Sequence, residues 1–415
     1  MSWLKILKSL VTNPRMLQML LYGFSSGLPL LLTLGTLQAW LGDVDVSLKT
    51  IGFFVWLRTP YSFKFVWAPF MDRYTLPFLG RRRGWILLTQ IFLILSILAM
   101  AALNPSSYIW LCALFALLIN FFSASQDIAV DAYRREILPD NELGIGTSIF
   151  INGYRIGMLA AGSLALILSD HLSWNIVYLI MALLMFVGVL TNLVAPEPQA
   201  DFKKPDSLIL VYKDSFADFF KKNGFKMSIA ALVFILLYKL GDQIATNIAT
   251  SFYQQTGFTN TEIGAVGKLV GFWALILGGL VGGIVMVKIG INKALWIFGI
   301  GQVVTILGFA ILAKIGNSVP ALGLIVGAEY LFGGMGTTAF TAYMMRITNK
   351  KYAATQLALL TSFMQLPSTL IAGFAGLMAA KLGWFEFFVS CTIIAIPGML
   401  MLFIVAPWKE QIPCQ

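Results

Sequence analysis

Eight ionisable side chains interrupt stretches that are otherwise apolar: Arg58, Lys64, Asp127, Arg155, Lys239, Asp242, Lys268 and Glu329. Their types define a chemistry. Arginine forks onto a carboxylate or phosphate, and lysine offers a point charge. A carboxyl group held away from water exchanges protons near neutral pH. The set therefore suits anion handling combined with proton exchange. Five cations stand against three carboxyls, and a positive, low-dielectric site favours an anionic passenger. A charge at membrane depth costs at least a few kcal/mol, so such groups face a protein interior or a wet cavity.

Spacing groups these residues on helix faces. Asn120, Ser123, Asp127 and Asp131 fall on one face, beside Gln126. Lys239, Asp242, Gln243, Thr246 and Thr250 fall on another, as do Ser148, Asn152 and Arg155, with Tyr154 adjacent. Arg58, Tyr61 and Lys64 form a shorter row. Gln38 lies near the outer end of the first apolar stretch, past Gly23, Gly27 and Pro29, which permit bending. Glu329 precedes the small residues Gly333, Gly336 and Thr337. Plain packing roles compete with these readings. Lys239 and Asp242, three apart, can pair with each other. Lys64 and Lys268 can snorkel toward an interface. Asp131 is expected to join Asp72, Arg73 and Arg81 in a network at the cytoplasmic end. Tyr61, Tyr154 and Tyr238 can stack on a sugar or simply pack.

The elements that position these groups are membrane spans. The chain has 415 residues, 58% hydrophobic and 12% charged, against about 25% charged in a soluble domain. Twelve apolar runs are long enough to cross a bilayer: 16–40, 48–70, 84–103, 108–132, 143–169, 174–195, 226–252, 261–289, 292–314, 319–346, 352–378 and 384–407. Lysines and arginines concentrate in alternate loops, which places both termini in the cytoplasm. The net charge of +10 thus needs the membrane surface as its partner and no nucleic acid. The N-terminal Trp3 to Lys8 stretch has the pattern of a short interfacial helix. Cys112, Cys391 and Cys414 fit no disulfide or metal spacing.

The chain also repeats itself at an offset of about 210 residues. Phe122, Ala129, Ala132 and Tyr133 return as Phe332, Ala339, Ala342 and Tyr343. Leu172-x-Trp174 returns as Leu382-x-Trp384, and Val194-Ala-Pro196 as Val405-Ala-Pro407. Six spans per repeat is an even number, so both halves enter the membrane in the same direction. Parallel six-helix halves predict an all-α major facilitator fold of 12 transmembrane helices. The expected division is 1–195, a cytoplasmic linker at 196–225, and 226–415. In that fold spans 1, 4, 7 and 10 line a central cavity, and all eight charges fall on those spans or on 2, 5 and 8.

Enzyme chemistry finds little support. The one histidine, His171, lies in a loop, and no nucleophile elbow, metal-ligand cluster or phosphate loop stands out. Neither cofactor nor metal is expected. A receptor built on a transporter scaffold remains a second alternative.

Specific stretches carry a resemblance. Asp72-Arg-Tyr74 followed by Gly80-Arg-Arg-Arg-Gly84 resembles the major facilitator loop signature, with about five extra residues inside it and Ala68 in place of a glycine. Gly35-Thr-Leu-Gln-Ala-Trp40, Phe63-Lys-Phe65, Ser123-Ala-Ser-Gln-Asp127, Gly153-Tyr-Arg155 and Leu237-Tyr-Lys-Leu-Gly-Asp242 are similar to the AmpG-type muropeptide permeases. The resemblance implies a permease of the inner membrane of Gram-negative bacteria, and a monomer is expected. It implies proton-driven import of GlcNAc-anhydroMurNAc, an anionic glycopeptide when a peptide stem is attached, for peptidoglycan recycling, with an effect on β-lactamase induction. It assigns Gln38, Lys64, Gln126, Asp127, Tyr154, Arg155, Lys239 and Asp242 to the site. The more distant acetyl-coenzyme A transporters give the alternative cargo, another large anion.

Overall fold

The computed structural model describes residues 13–46, 50, 54–198, 207–259 and 262–408, less the side chains of 55, 267–268 and 366–374. The expected interfacial helix at Trp3 to Lys8 and the side chain of Lys268 lie outside the described residues. Every regular element among those described is helical. Nine stretches among them are long and apolar enough to cross a membrane. The longest, Ile263–Ile315, holds two of the expected spans. Gly290 sits between its arms with φ +79°, a backbone region open mainly to glycine.

Several spans are interrupted where side chains forbid a straight helix. The first is α1 (Pro14–Leu32) and α2 (Gly35–Asp43), parted at Leu34 beyond the internal Pro29. The run expected at 48–70 differs from one continuous helix. It consists of the 3-10 turn Val55–Arg58, α3 (Thr59–Phe63), the 3-10 turn Lys64–Val66 and α4 (Ala68–Arg73). Pro60 and Pro69 cause this. Each stands in the first turn of its helix, lacks an N–H, and crowds the carbonyl four residues earlier. Then come α5 (Arg81–Ala101), α6 (Ile109–Ile137), α7 (Leu143–Leu159), a π turn at Ala160–Leu164, α8 (Ala165–Ser169), α9 (Trp174–Leu184) and α10 (Phe186–Val194). The linker carries α11 (Leu208–Asn223). The seventh span is α12 (Phe225–Leu237), α13 (Leu240–Asn247) and α14 (Ala249–Gln255). After the π turn Ile263–Val270 follow α15 (Gly271–Ile315), α16 (Val319–Ile347), α17 (Ala353–Leu382), α18 (Trp384–Leu400) and α19 (Leu402–Val405).

Contacts divide the chain into two units. Unit 1 comprises Met1–Pro139, Ile149–Asp218 and Thr348–Ser362, and unit 2 comprises Asp140–Ser148, Phe219–Ile347 and Phe363–Gln415. In unit 1, α1 and α7 touch backbone to backbone. A Cβ on Gly27 would stand 1.9 Å from the Tyr154 carbonyl oxygen, and one on Gly153 2.1 Å from that of Leu20. Apolar helices gain little from hydrophobicity inside lipid, so small residues that allow close approach hold them together. In unit 2, α15 meets α16 in the same way: a Cβ on Gly278 would lie 2.0 Å from the Leu331 carbonyl oxygen.

The linker helix α11 does more than span a gap. The Asp218 carboxylate accepts from Asn349 Nδ2 at 2.9 and 3.0 Å and from Gln356 Nε2 at 3.2 Å. Gln356 Nε2 also donates to the Ser215 carbonyl at 3.0 Å, and Gln356 Oε1 accepts from the Asn349 backbone at 2.8 Å. These bonds, all within unit 1, tie α11 to the start of α17.

Two outcomes are expected. Gly27→Val should collapse the yield of monodisperse protein on size-exclusion chromatography, because overpacking against backbone exceeds the usual cost of about 1–3 kcal/mol. Asp218→Ala should lower thermal stability by about 1–2 kcal/mol, the penalty for stranding its donors. An unchanged melting temperature would remove α11 from the structural account.

Candidate functional site

Polar groups gather in three places. The densest surrounds Arg82, at the start of α5. Arg82 is fully buried, and its guanidinium reaches Asp72 Oδ1 at 2.7 Å, Glu136 Oε1 at 2.6 Å and the Met71 carbonyl at 3.0 Å. Arg81 shares the same Glu136 oxygen at 2.7 Å. Asp72 turns its other oxygen to the first turn of α17, accepting from Thr355 N at 2.8 Å and Thr355 Oγ1 at 2.6 Å. A carboxylate there satisfies amides that the helix leaves open and meets the favourable end of the helix dipole. Glu197 does the same for α5, accepting from Arg82 N at 2.8 Å and Arg83 N at 3.1 Å.

Of the four residues expected in this network, Asp72 and Arg81 are brought together, through Arg82 and Glu136. Arg73 lies 5.3 Å from the Tyr74 ring. Asp131 pairs instead with Arg134 at 2.9 Å, one turn along α6, and Arg134 stacks 3.9 Å from the Phe150 ring. Sequence reasoning left Arg82 among loop cations and passed over Glu136 and Thr355. Only Asp72, ten positions from Arg82, was a readable partner.

The second cluster, also in unit 1, centres on Asp127 of α6. Its charged neighbours are Lys64, Asp131 and Arg134, and Ser26 stands beside it. Its Oδ1 is buried and unmatched among the described residues. Gln126 Nε2 donates to Ser26 Oγ at 3.1 Å, and Tyr61 OH to Ser123 Oγ at 2.7 Å. Tyr61 and Tyr154 both lie in the field of Asp127 and Arg58. Lys64 is buried on its 3-10 turn, and Arg155 is buried on α7. Arg58 is exposed, unlike the buried position expected for it, because the second span is broken into short turns around it. Gln38, on α2, is half-buried and outside the bonds described here.

The third cluster lies in unit 2. Lys239 occupies the break between α12 and α13, and its Nζ is 3.0 Å from Asp242 Oδ2 in the first turn of α13. Glu329 lies within the electrostatic field of Asp242 and Lys239. Thr305 Oγ1, on the second arm of α15, lies within hydrogen-bonding reach of both Glu329 Oε2 and the Gln302 carbonyl, the latter at 3.0 Å. Glu329 is only 1% exposed, and its Oε1 has no partner among the described residues. Gly336 leaves room for Gln302, whose Oε1 would lie 2.6 Å from a Cβ there. Gln302 and Thr305 were missed. Their three-residue spacing in an apolar run was the available signal.

Comparison with known proteins decides the class. The profile of the Major Facilitator Superfamily matches residues 16–372. The chain belongs to the major facilitator superfamily. Solved members share the fold: the proton:xylose symporter XylE gives a TM-score of 0.72 at 12% identity, over 95% of each chain. The human organic anion transporter MFSD10 gives 0.70 at 15% identity, over 95% of this chain and 99% of that one. In sequence, the anhydromuropeptide permease of Escherichia coli K12 is 43% identical over 94% of this chain and 80% of its own. An uncharacterized protein of Haemophilus influenzae is 42% identical over 98% and 97%. Within the superfamily the chain is an AmpG-type permease, a transporter and not an enzyme.

Arg82→Ala would strand the buried carboxylates of Asp72 and Glu136. It should cost about 3–5 kcal/mol in thermal or denaturant unfolding. Arg82→Lys should recover only part of this, since a single ammonium cannot reproduce the fork. Full stability in Arg82→Ala would contradict the network.

Proposed function

We propose that the protein imports anhydromuropeptides, GlcNAc-anhydroMurNAc with or without a peptide stem, from periplasm to cytoplasm. The observation that carries this reading is the 43% identity to the Escherichia coli anhydromuropeptide permease over 94% of this chain. Import is driven by protons, supplies peptidoglycan recycling, and thereby influences β-lactamase induction. The protein works as a monomer in the inner membrane, with both termini cytoplasmic and two six-helix halves at 1–195 and 226–415.

The site chemistry supports an anionic cargo. Arg155, Lys64 and Lys239 hold its carboxylates, with Arg58 and Lys268 adding positive field. Tyr61, Tyr154, Gln38 and Gln126 meet the sugars. Asp127, Asp242 and Glu329 supply the groups through which a proton is taken up and released. Asp72 and Arg81, with Arg73 and Asp131 nearby, belong to the cytoplasmic gate.

The test is uptake of labelled GlcNAc-anhydroMurNAc-tripeptide by proteoliposomes under an imposed proton gradient. The wild type should accumulate it unaltered, and dissipating the gradient should abolish accumulation. Arg155→Ala should reduce uptake by about tenfold, the loss of one charge-assisted contact. Transport of acetyl-coenzyme A in place of the glycopeptide would reassign the cargo.

A further inference from the structure

We infer that the start of α7 is a releasable latch on the first arm of α15, and that Gly144 and Ser148 are the residues that close it. This rests on the two-half transport reading above, which puts the latch at the cytoplasmic end, and adds to it a moving contact outside the Arg82 network.

The starts of α7 and α17 are equivalent in the repeat. They lie at Leu143 and Ala353, 210 positions apart, which is the repeat offset. Both starts are also exchanged. By sequence Asp140–Ser148 belongs with the N-terminal repeat, yet its contacts place it in unit 2. Thr348–Ser362 belongs with the C-terminal repeat, yet its contacts place it in unit 1. A six-helix half that moves as a body carries its own spans with it. Each exchanged start is therefore a contact that has to part when the halves swing open at that end.

The two starts are fastened by different chemistry. That of α17 is held by charge, with Asp72 on the amide and hydroxyl of Thr355. That of α7 is held by close approach. Ser148 Oγ donates to the Gly279 carbonyl oxygen at 2.6 Å. A Cβ on Gly283, one turn further along α15, would stand 2.4 Å from Ser148 Cβ, so only glycine admits the serine. A Cβ on Gly144 would stand 3.3 Å from Met286 Cβ. Thr147 Oγ1 donates to Met345 Sδ, on α16, at 3.5 Å.

The same arm of α15 shows how a permanent contact is built. Its glycines come in pairs, Gly278-Gly279 and Gly282-Gly283. The first of each pair lies against α16: a Cβ on Gly278 would stand 2.0 Å from the Leu331 carbonyl oxygen, and one on Gly282 2.9 Å from Met335 Cα. There backbone rests on backbone, and both helices belong to the C-terminal repeat. Ser148 meets the second of each pair through a side chain and one neutral hydrogen bond. Such a bond is weak enough to break and re-form within a transport cycle. Met286 and Met345 complete the seam with unbranched, polarisable side chains that repack when it shifts.

The test uses the full chain in proteoliposomes and has two readouts. The first needs no cargo. Gly144 is buried in the closed seam, so a thiol placed there meets a maleimide only when the latch opens. Gly144→Cys should be alkylated slowly, and adding Ser148→Ala should speed the reaction about fivefold, the effect of losing one neutral hydrogen bond. Adding Gly283→Ala should speed it too, because the new methyl occupies the place of Ser148. Unchanged rates in both overturn the latch whatever the cargo. The second readout ties the latch shut. The paired substitution Gly144→Cys, Met286→Cys brings two Cβ atoms close to disulfide range, about 3.5–4.5 Å. With a protease site inserted in the 196–225 linker, oxidation should keep the two cleaved fragments together until reduction. Oxidation should also lower gradient-driven accumulation of labelled GlcNAc-anhydroMurNAc more than about tenfold, and reduction should restore it. Each single cysteine variant, oxidised in the same way, should show neither effect. Undiminished accumulation by the cross-linked protein overturns the latch, and so does failure of the folded pair to cross-link. If the pair does not fold, the alkylation rates decide. A protein whose alkylation responds as stated but which accumulates none of this cargo refutes the cargo and leaves the latch standing.

Discussion

A charge without a partner cannot stay in hydrocarbon, and this constraint organises both units of the protein. Arg82, Arg134 and Lys239 each touch a carboxylate within 3.0 Å. Backbone irregularity gathers around such groups. Lys239 stands where one helix stops and another begins, and Lys64 opens a 3-10 turn. Irregular backbone at membrane depth survives only where protein or a wet cavity satisfies its open N–H and C=O groups. The interrupted helices and the buried charges are thus two aspects of one arrangement.

Much of the fold was legible in the chain because lipid imposes a coarse and repetitive code. Apolar length located the nine spans found among the described residues. What was hidden depended on side chains meeting across large separations. The second span looks like one apolar run, yet Pro60 and Pro69 divide it, and both prolines were visible to a closer reading. The pairing of Lys239 with Asp242 was readable because it is local. The burial of Arg82 was not, since Glu136 lies 54 positions away. The contact of Thr305 with Glu329 was equally obscure, for its hydroxyl also reaches the Gln302 carbonyl of its own helix, the usual partner of a lone hydroxyl in an apolar helix.

Each unit keeps a buried carboxyl with one oxygen unmatched among the described residues: Asp127 in unit 1, beside a lysine, an arginine, a second carboxylate and a serine, and Glu329 in unit 2, beside Asp242 and Thr305. In unit 2 the neighbouring lysine already has a partner, with Lys239 Nζ 3.0 Å from Asp242 Oδ2.

The network at Arg82 also bears on timing. Its members leave the ribosome far apart: Asp72 and Arg82 together, Glu136 next, Glu197 after that, and Thr355 last, 283 residues after Asp72. Arginine is the member that lipid tolerates least. Asp72 precedes it by ten positions, so a neutralising partner is already synthesised when Arg82 emerges. Later arrivals add bonds to an ion pair that can already exist. The order of residues along the chain thus doubles as a schedule for membrane insertion, with the most expensive charge chaperoned from the moment it is made.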